Sequence, residues 1–348
     1  MTADFRSDTL TKPTPAMRAA MAAADVGDDV FGEDPTVRTL EAEAAALLGM
    51  EAGMFVPSGT MGNQTAIHVH CRPGDELICE DRSHVYQFEG GSMARLSGTQ
   101  ARLIAAVDGF PTVEQVRAAV RRVDSHYPRS RLLVLENSHN MAGGRVLSVA
   151  RHAALVQEAR RLGLLVHVDG ARIVNAAVAA GCAVRDLTAG VDSVSLCLSK
   201  GLGAPVGSVV AGSAAFVQEA RRARKAFGGG MRQAGVLAAA GLIALREGPD
   251  LLVADHARAR RLAVAFAGLP GIAVDLAAVE TNIVMVDLTA ADASALIAFL
   301  AARGVHALAI HDRRVRFVTH RDLTDADIDL CIDAARAFVQ SLRPSSTT

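Results

Sequence analysis

The sequence predicts an α/β protein, built as a mostly parallel, doubly wound sheet followed by a smaller C-terminal α+β domain. Three observations carry this. Strand-length apolar runs alternate with longer helical stretches up to about Gly248, the pattern of a parallel sheet covered on both faces. After Gly248 the pattern changes to a long Arg/Ala-rich helix, short strands and two further helices. The length, 348 residues, suits two domains.

The elements follow in order. Helices are expected over 35–48, with Asp34 as its N-cap, and over 112–123, 148–162 and 213–225. Strands are expected at 54–56, 76–79, 103–107, 132–135, 164–168, 193–198 and 208–211. The uncharged apolar run from Ala234 to Leu245 has 12 residues, short of the roughly 20 that span a bilayer, and reads as a buried helix. A second long helix is expected from Leu251. Strands at 272–276, 283–287 and 315–319 follow, with helices at 290–303 and 325–342. The expected domains are 14–248 (large) and 249–348 (small), the latter joined by residues 1–13. The tail 343–348 should fray.

Composition narrows the function. Basic and acidic side chains number 36 and 37, for a net charge of −1, so there is no basic surface for a nucleic-acid backbone and no polybasic membrane patch. The partner expected is a small molecule. The polar N-terminus lacks the apolar core of a secretory signal. The five cysteines include no C-x-x-C pair and sit in apolar runs, as reduced core residues of a cytoplasmic protein do. Only three basic residues are lysines: Lys12, Lys200 and Lys225. Where Arg serves almost everywhere as the cation, a lysine suggests an amine that must lose its proton and react.

Ligands of doubly wound sheets bind beyond the carboxyl ends of the strands. After Phe55-Val56 comes Pro57-Ser58-Gly59-Thr60-Met61-Gly62-Asn63, a helix start whose free N–H groups suit a phosphate, or an ordinary capped turn. After 164–168 comes Asp169, a carboxylate ending a buried strand, which needs a cationic partner or else caps the next helix. After 193–198 comes Ser199-Lys200-Gly201-Leu202-Gly203, whose lysine is either reactive or snorkelling to solvent. Together, a phosphate cradle, a buried Asp and a Lys at a core strand end are the parts that pyridoxal 5′-phosphate requires. No metal site is expected: His68 and His70 fall on different helix faces, and His167 with Asp169 lacks a third ligand.

These motifs resemble those of the low-specificity L-threonine aldolases, pyridoxal-phosphate enzymes of the aspartate-aminotransferase fold (fold type I), over nearly the whole chain. The resemblance rests on Phe5-Arg6-Ser7-Asp8-Thr9, the Val26–Thr36 segment with Gly27-Asp28-Asp29, and the Pro57–Asn63 loop. It continues through Glu136-Asn137-Ser138-His139-Asn140, His167-Val168-Asp169-Gly170-Ala171-Arg172 and Ser199 to Ser208. Gly228-Gly229-Gly230-Met231-Arg232-Gln233 and Phe317-Val318-Thr319-His320 complete it. It implies that Lys200 is the Schiff-base lysine, that Asp169 pairs with the pyridine nitrogen, and that Gly59 and Thr60 bind the phosphate. It further implies that His84 stacks on the ring, that Arg172 reaches the ring O3′ and the substrate carboxylate, and that Ser7 and Arg316 hold that carboxylate. Lys225 or Arg224 would come from an adjoining subunit toward the phosphate, in a homotetramer with active sites at dimer interfaces. Phe31 stands where relatives often carry Tyr, and Met141 replaces a smaller residue.

The reaction so implied is retro-aldol cleavage of threonine, allo-threonine or a related β-hydroxy-α-amino acid to glycine and an aldehyde. His84 and His126 are the candidate bases for the β-hydroxyl proton, with an ordered water as a third. A β-eliminating lyase or a hydroxy-amino-acid transaldolase would share Lys200 and Asp169. A pyridoxal-phosphate-binding carrier or regulator is disfavoured by the substrate clamp Arg316 and by the lack of a DNA-binding module.

Overall fold

The computed structural model describes residues 2–342, so the fraying expected of 343–348 lies outside the described residues. In chain order the elements begin with β1 (Ala3–Asp4), α1 (Pro15–Ala22), α2 (Pro35–Leu47), β2 (Ala52–Val56), α3 (Gly59–His70) and β3 (Glu76–Glu80). Next come α4 (His84–Gln87), α5 (Ser92–Ser97), β4 (Gln100–Ile104), α6 (Val113–Ala119), β5 (Ser130–Glu136) and α7 (Val149–Arg161). They continue as β6 (Leu165–Gly170), α8 (Ile173–Ala180), β7 (Ser193–Cys197), β8 (Ser208–Gly212), α9 (Ala214–Ala226) and α10 (Gly235–Ala267). The remainder is β9 (Ile272–Ala273), β10 (Ile283–Leu288), α11 (Ala293–Ala301), β11 (Val305–His306), β12 (Leu308–His311), β13 (Arg314–Val318) and α12 (Asp325–Ser341).

Seven strands form the central sheet in the order β2-β8-β7-β6-β5-β3-β4. The β3–β4, β3–β5, β5–β6 and β6–β7 pairings are parallel, and β8 alone runs antiparallel to both its neighbours. The carboxyl ends of β2, β3, β5, β6 and β7 therefore share one edge of the sheet. Every residue of β3, β7 and β8 is buried, as befits strands covered on both faces.

A second, antiparallel sheet has the order β12-β13-β10-β9, and β1 pairs in parallel with β11. Its core gathers Phe266 from α10, Leu296 from α11, Phe317 from β13 and Phe338 from α12. The N-terminal segment packs here too, since Phe5 lies in that core and its carbonyl accepts from Val318 N–H at 2.8 Å.

The structure corrects several expectations. The two helices expected on either side of Gly248 are one 33-residue helix, α10, which carries Pro249 inside it. Gly248 read as a break, but a Cβ there would lie 3.0 Å from Leu202 Cα and 3.1 Å from its carbonyl oxygen. It is a packing glycine that lets α10 approach the loop after Lys200. The strand expected at 103–107 is β4, ending at Ile104, because the Asp108-Gly109 turn draws Val107 out to full exposure. The helix expected over 112–123 stops at Ala119, where Val120 turns extended (ψ 128°). Asp34 does cap α2, accepting from Val37 N–H at 2.9 Å.

Candidate active site

The shared edge of the sheet gathers most of the expected site residues. Lys200 follows β7 and is half-buried, and its charge acts on both Asp8 and His84. Gly59 and Thr60 open α3, where first-turn amides have no intrahelical acceptor. Ser58 caps that helix by accepting from Met61 N–H at 3.2 Å. A Cβ on Gly59 would fall 2.6 Å from Cys197 Sγ, so glycine alone lets the turn sit against β7. The result is a tight cradle with free amide donors, suited to an anion.

Asp169 ends β6 and is 2% exposed. One of its oxygens accepts from Asn63 Nδ2 at 2.8 Å and the other from Ala171 N–H at 3.1 Å. It does not cap α8, whose N-cap is Arg172 and has no side-chain cap bond.

His84 opens α4. Its backbone N–H donates to Glu136 at 2.7 Å and its Nδ1 lies 2.8 Å from Glu89 Oε1. Burial opposes its charged form, but the Glu89 hydrogen bond and the charges of Asp169 and Glu89 win and raise its pKa above the usual histidine value. Ligand atoms of His84, Glu89 and Asp169 lie within 4.8 Å of one another, the one such His/Cys/Asp/Glu grouping among the described residues.

The other wall comes from the N-terminal segment and the smaller sheet. Arg172 is buried and forked onto Asp8, with Nε and Nη2 each 2.7 Å from a carboxylate oxygen. Burial would push the Asp8 carboxyl up, but Arg172, with help from Lys200 and the Asn282 amide, holds it down at about 2. Arg172 thus has one edge filled, leaving Nη1 and the second N–H of Nη2 for the ligand contacts expected of it.

Arg316 donates to Asn140 Oδ1 at 2.7 Å and to the Arg6 carbonyl at 3.2 Å, while its buried Nε has no partner. Burial and the like charge of Arg172 bring it down to about 10. An under-satisfied, desolvated guanidinium is a receptor for a carboxylate. Ser7 is half-buried at the start of this segment and accepts from Thr9 N–H and Thr9 Oγ1.

Three expected residues do not join this group. His126 precedes β5, at the end of the sheet opposite to Asp169. Six residue steps along β5 amount to about 20 Å. Its side chain is 86% exposed and its Nδ1 pairs with Asp124 at 2.7 Å. Within one chain it cannot reach Lys200. Arg224 is buried and committed to its own chain, with Nη2 2.7 Å from Asp29 and Nη1 donating to the Phe55 carbonyl at 2.7 Å. Lys225 is exposed beside Gly230.

Sequence reasoning missed Asp8, Asn63, Glu89, Glu136 and Asn140 as site residues. Asp8, Asn63, Glu136 and Asn140 stood inside motifs already singled out. Their signal was polar residues at positions that the fold buries or holds against the site, such as Asn63-Gln64-Thr65 along one helix turn.

Comparison with known proteins gives the chain's family and fold. The profile of the beta-eliminating lyase family matches residues 4–291. The chain is 43% identical to low-specificity L-threonine aldolase 1 of Arabidopsis thaliana, over 99% of this chain and 98% of that protein. It is 42% identical to the low specificity L-threonine aldolase of Escherichia coli K12, over 97% and 99%. Among solved structures, an Exiguobacterium protein described as a putative aromatic amino acid beta-eliminating lyase/threonine aldolase superposes with a TM-score of 0.82. It is 20% identical and covers 97% of each chain. A Sphingomonas wittichii serine palmitoyltransferase shares the fold, with a TM-score of 0.79 at 17% identity, over 98% of this chain and 88% of that one.

Proposed function

The chain belongs to the low-specificity L-threonine aldolase group of the beta-eliminating lyase family, and we propose that it cleaves L-threonine, L-allo-threonine and related β-hydroxy-α-amino acids to glycine and an aldehyde. The observation that carries the reading is the meeting of Lys200, Asp169, the α3 amides and an under-satisfied Arg316 at one edge of the sheet.

The residues present fit pyridoxal 5′-phosphate. A glycine-walled cradle with free amides would take its phosphate, a buried carboxylate its ring nitrogen, and the lysine that follows β7 would hold it. Bound there, the cofactor supplies the electron sink for the pair released when the Cα–Cβ bond breaks. Lys200 would anchor it through its amine, and Asp169 would face its nitrogen. Arg316, with Ser7 beside it and Asn140 holding its Nη1, clamps the substrate carboxylate. By fixing the carboxylate, that clamp would restrict rotation about the substrate's N–Cα bond and so select which bond at Cα breaks. Within the chain His84 is the base in place: with Nδ1 given to Glu89, its Nε2 takes the β-hydroxyl proton as the aldehyde leaves.

The assembly proposed is a homotetramer in which Lys225 reaches a neighbour's phosphate. It is supported by the exposure of Lys225 and by the apolar Val30 and Phe31 (73% exposed) on the same face. A cytoplasmic setting is supported by five free cysteines, four of them buried. Among the described residues no helix is long and apolar enough to cross a membrane.

Lys200→Ala tests the site. The purified parent should be yellow, and the variant should lose both the visible absorbance of the covalent link and nearly all turnover. Lys200→Arg should fail as well, because a guanidinium stays protonated. A Lys200→Ala enzyme that cleaved threonine at the parental rate would sink the assignment.

A further inference from the structure

Asn63 lies one turn into α3, on the buried side of that helix, and is 1% exposed. Its amide makes four hydrogen bonds. Nδ2 donates to Asp169 Oδ2 and to Glu89 Oε1, each at 2.8 Å. Oδ1 accepts from Ser195 Oγ at 2.6 Å and meets His167 Nε2 at 3.1 Å. This uses the full donor and acceptor capacity of the side chain. Behind it, His167 Nδ1 lies 2.8 Å from Ser193 Oγ, and His70 Nε2 lies 2.7 Å from the same oxygen.

The protons along this row can be assigned by elimination. Carboxylates only accept, so the Asn63 nitrogen must face Asp169 and Glu89 and its oxygen must face His167. An amide oxygen only accepts, so His167 carries its proton on Nε2. Burial holds this imidazole down to about 3, so it is neutral and its Nδ1 is an acceptor. Ser193 then donates to Nδ1 and accepts in turn from His70 Nε2–H. Every hydrogen from His70 to Asp169 points the same way.

The fold explains why these residues meet. His167 and Asp169 are two apart on β6 and share a face, and the register pairs them with Ser193 and Ser195 on β7. Asn63 and His70 lie seven apart on α3, about two turns, and so on one side of the helix that covers that face. The helix that presents Gly59 and Thr60 at its start thus also carries the amide that holds Asp169.

We propose that Asn63 is a positioning residue for the reaction: it fixes the Asp169 and Glu89 carboxylates in one arrangement, with His167, Ser193 and His70 behind it as a one-way hydrogen-bond relay. Through Glu89 the same amide sets His84. Two neighbouring groups of the site, the carboxylate facing the ring nitrogen and the imidazole used as base, are thereby held by one side chain. The proposal rests on the reading of Asp169 as partner of the ring nitrogen.

Two measurements on the full-length holoenzyme test it. Neutron diffraction should place one deuteron on His167 Nε2 and none on Nδ1; the reverse tautomer would overturn the relay. A double-mutant cycle tests whether Asn63 acts through Asp169. Asn63→Ala should lower kcat on threonine and raise the pyridoxal-phosphate dissociation constant, each by about tenfold, with KM within about twofold. Both losses should vanish in the Asp169→Asn background. Losses that persist in full there, with Asp169→Asn itself impaired, overturn the relay and leave the function standing. An unimpaired Asp169→Asn enzyme overturns the assignment of Asp169 and the relay with it. If Asn63→Ala does not fold, His167→Gln and His167→Phe replace it. Gln keeps a donor toward Asn63 and should retain most activity and cofactor affinity, whereas Phe should lose both; equal behaviour of the two overturns the proposal.

Discussion

Lys200 and Arg316 show how far single residues can be read. Lysine scarcity marked Lys200 as one of three, and its place at the end of a core strand singled it out as an amine that can lose its proton and react. Arg316 had no such mark among so many arginines and was reached only through resemblance. What separates it from its neighbour is geometric: it is buried beside Asn140 with an unpartnered Nε, whereas Arg314, two positions away, is forked onto Asp287 at 2.6 and 2.8 Å. The bidentate geometry of a guanidinium fixes orientation in a way that an ammonium cannot. Arg316→Lys should therefore raise KM and lower kcat together, each by tenfold or so, because binding energy that aligned the scissile bond is lost. Side reactions at Cα, such as proton exchange, should grow relative to cleavage. Steady-state kinetics with product ratios check this, with Arg314→Ala as control. Parental kinetics in Arg316→Lys beside a crippled Arg314→Ala would show that the clamp was misassigned.

At the level of elements, the strands were legible because burial on both faces makes them unbroken apolar runs, as in Ser193–Cys197. Helix ends were less so. The Glu247-Gly248-Pro249 stretch carries two breaker residues, yet α10 runs through it, because packing on Leu202 outweighs local propensity. That continuity carries Asp255 into a buried position where neither carboxylate oxygen has a hydrogen-bond partner. Burial pushes its pKa up to about 7, against the pull of Arg258 and with the added repulsion of Asp8. The sign follows from linkage. Below the unfolded-state value near 3.9 both states are protonated and there is no penalty. Between about 4 and 7 only the unfolded state ionises, so stability falls as pH rises, by up to about 4 kcal/mol, and then levels off. Asp255→Asn should flatten that slope and raise the melting temperature at pH 8. Thermal denaturation across pH 4–8 measures it, and an unchanged slope would show that Asp255 is solvated or paired in solution.

For the whole molecule, composition and alternation were enough for the class of fold and for a small-molecule partner. They could not show that residues far apart in the chain, Asp8 and Arg172 or Arg6 and Arg316, close one site. Such pairings are set by tertiary packing of the N-terminal segment on the smaller sheet, which local patterning does not encode. Likewise, the exposure of His126 and the internal pairing of Arg224 appear only once the sheet gives the chain two ends. Arg224 lies against Asp29 of its own chain, so the shared site proposed above rests on Lys225. Sedimentation of the holoenzyme should give a tetramer, and a fully active monomer would refute a shared site. The central claim is the bond broken. Purified enzyme loaded with pyridoxal 5′-phosphate is incubated with L-threonine and, separately, L-allo-threonine, and the products are quantified. Both substrates should give equimolar glycine and acetaldehyde without ammonia; release of ammonia with a 2-oxo acid, and no glycine, would mean that a different bond is broken.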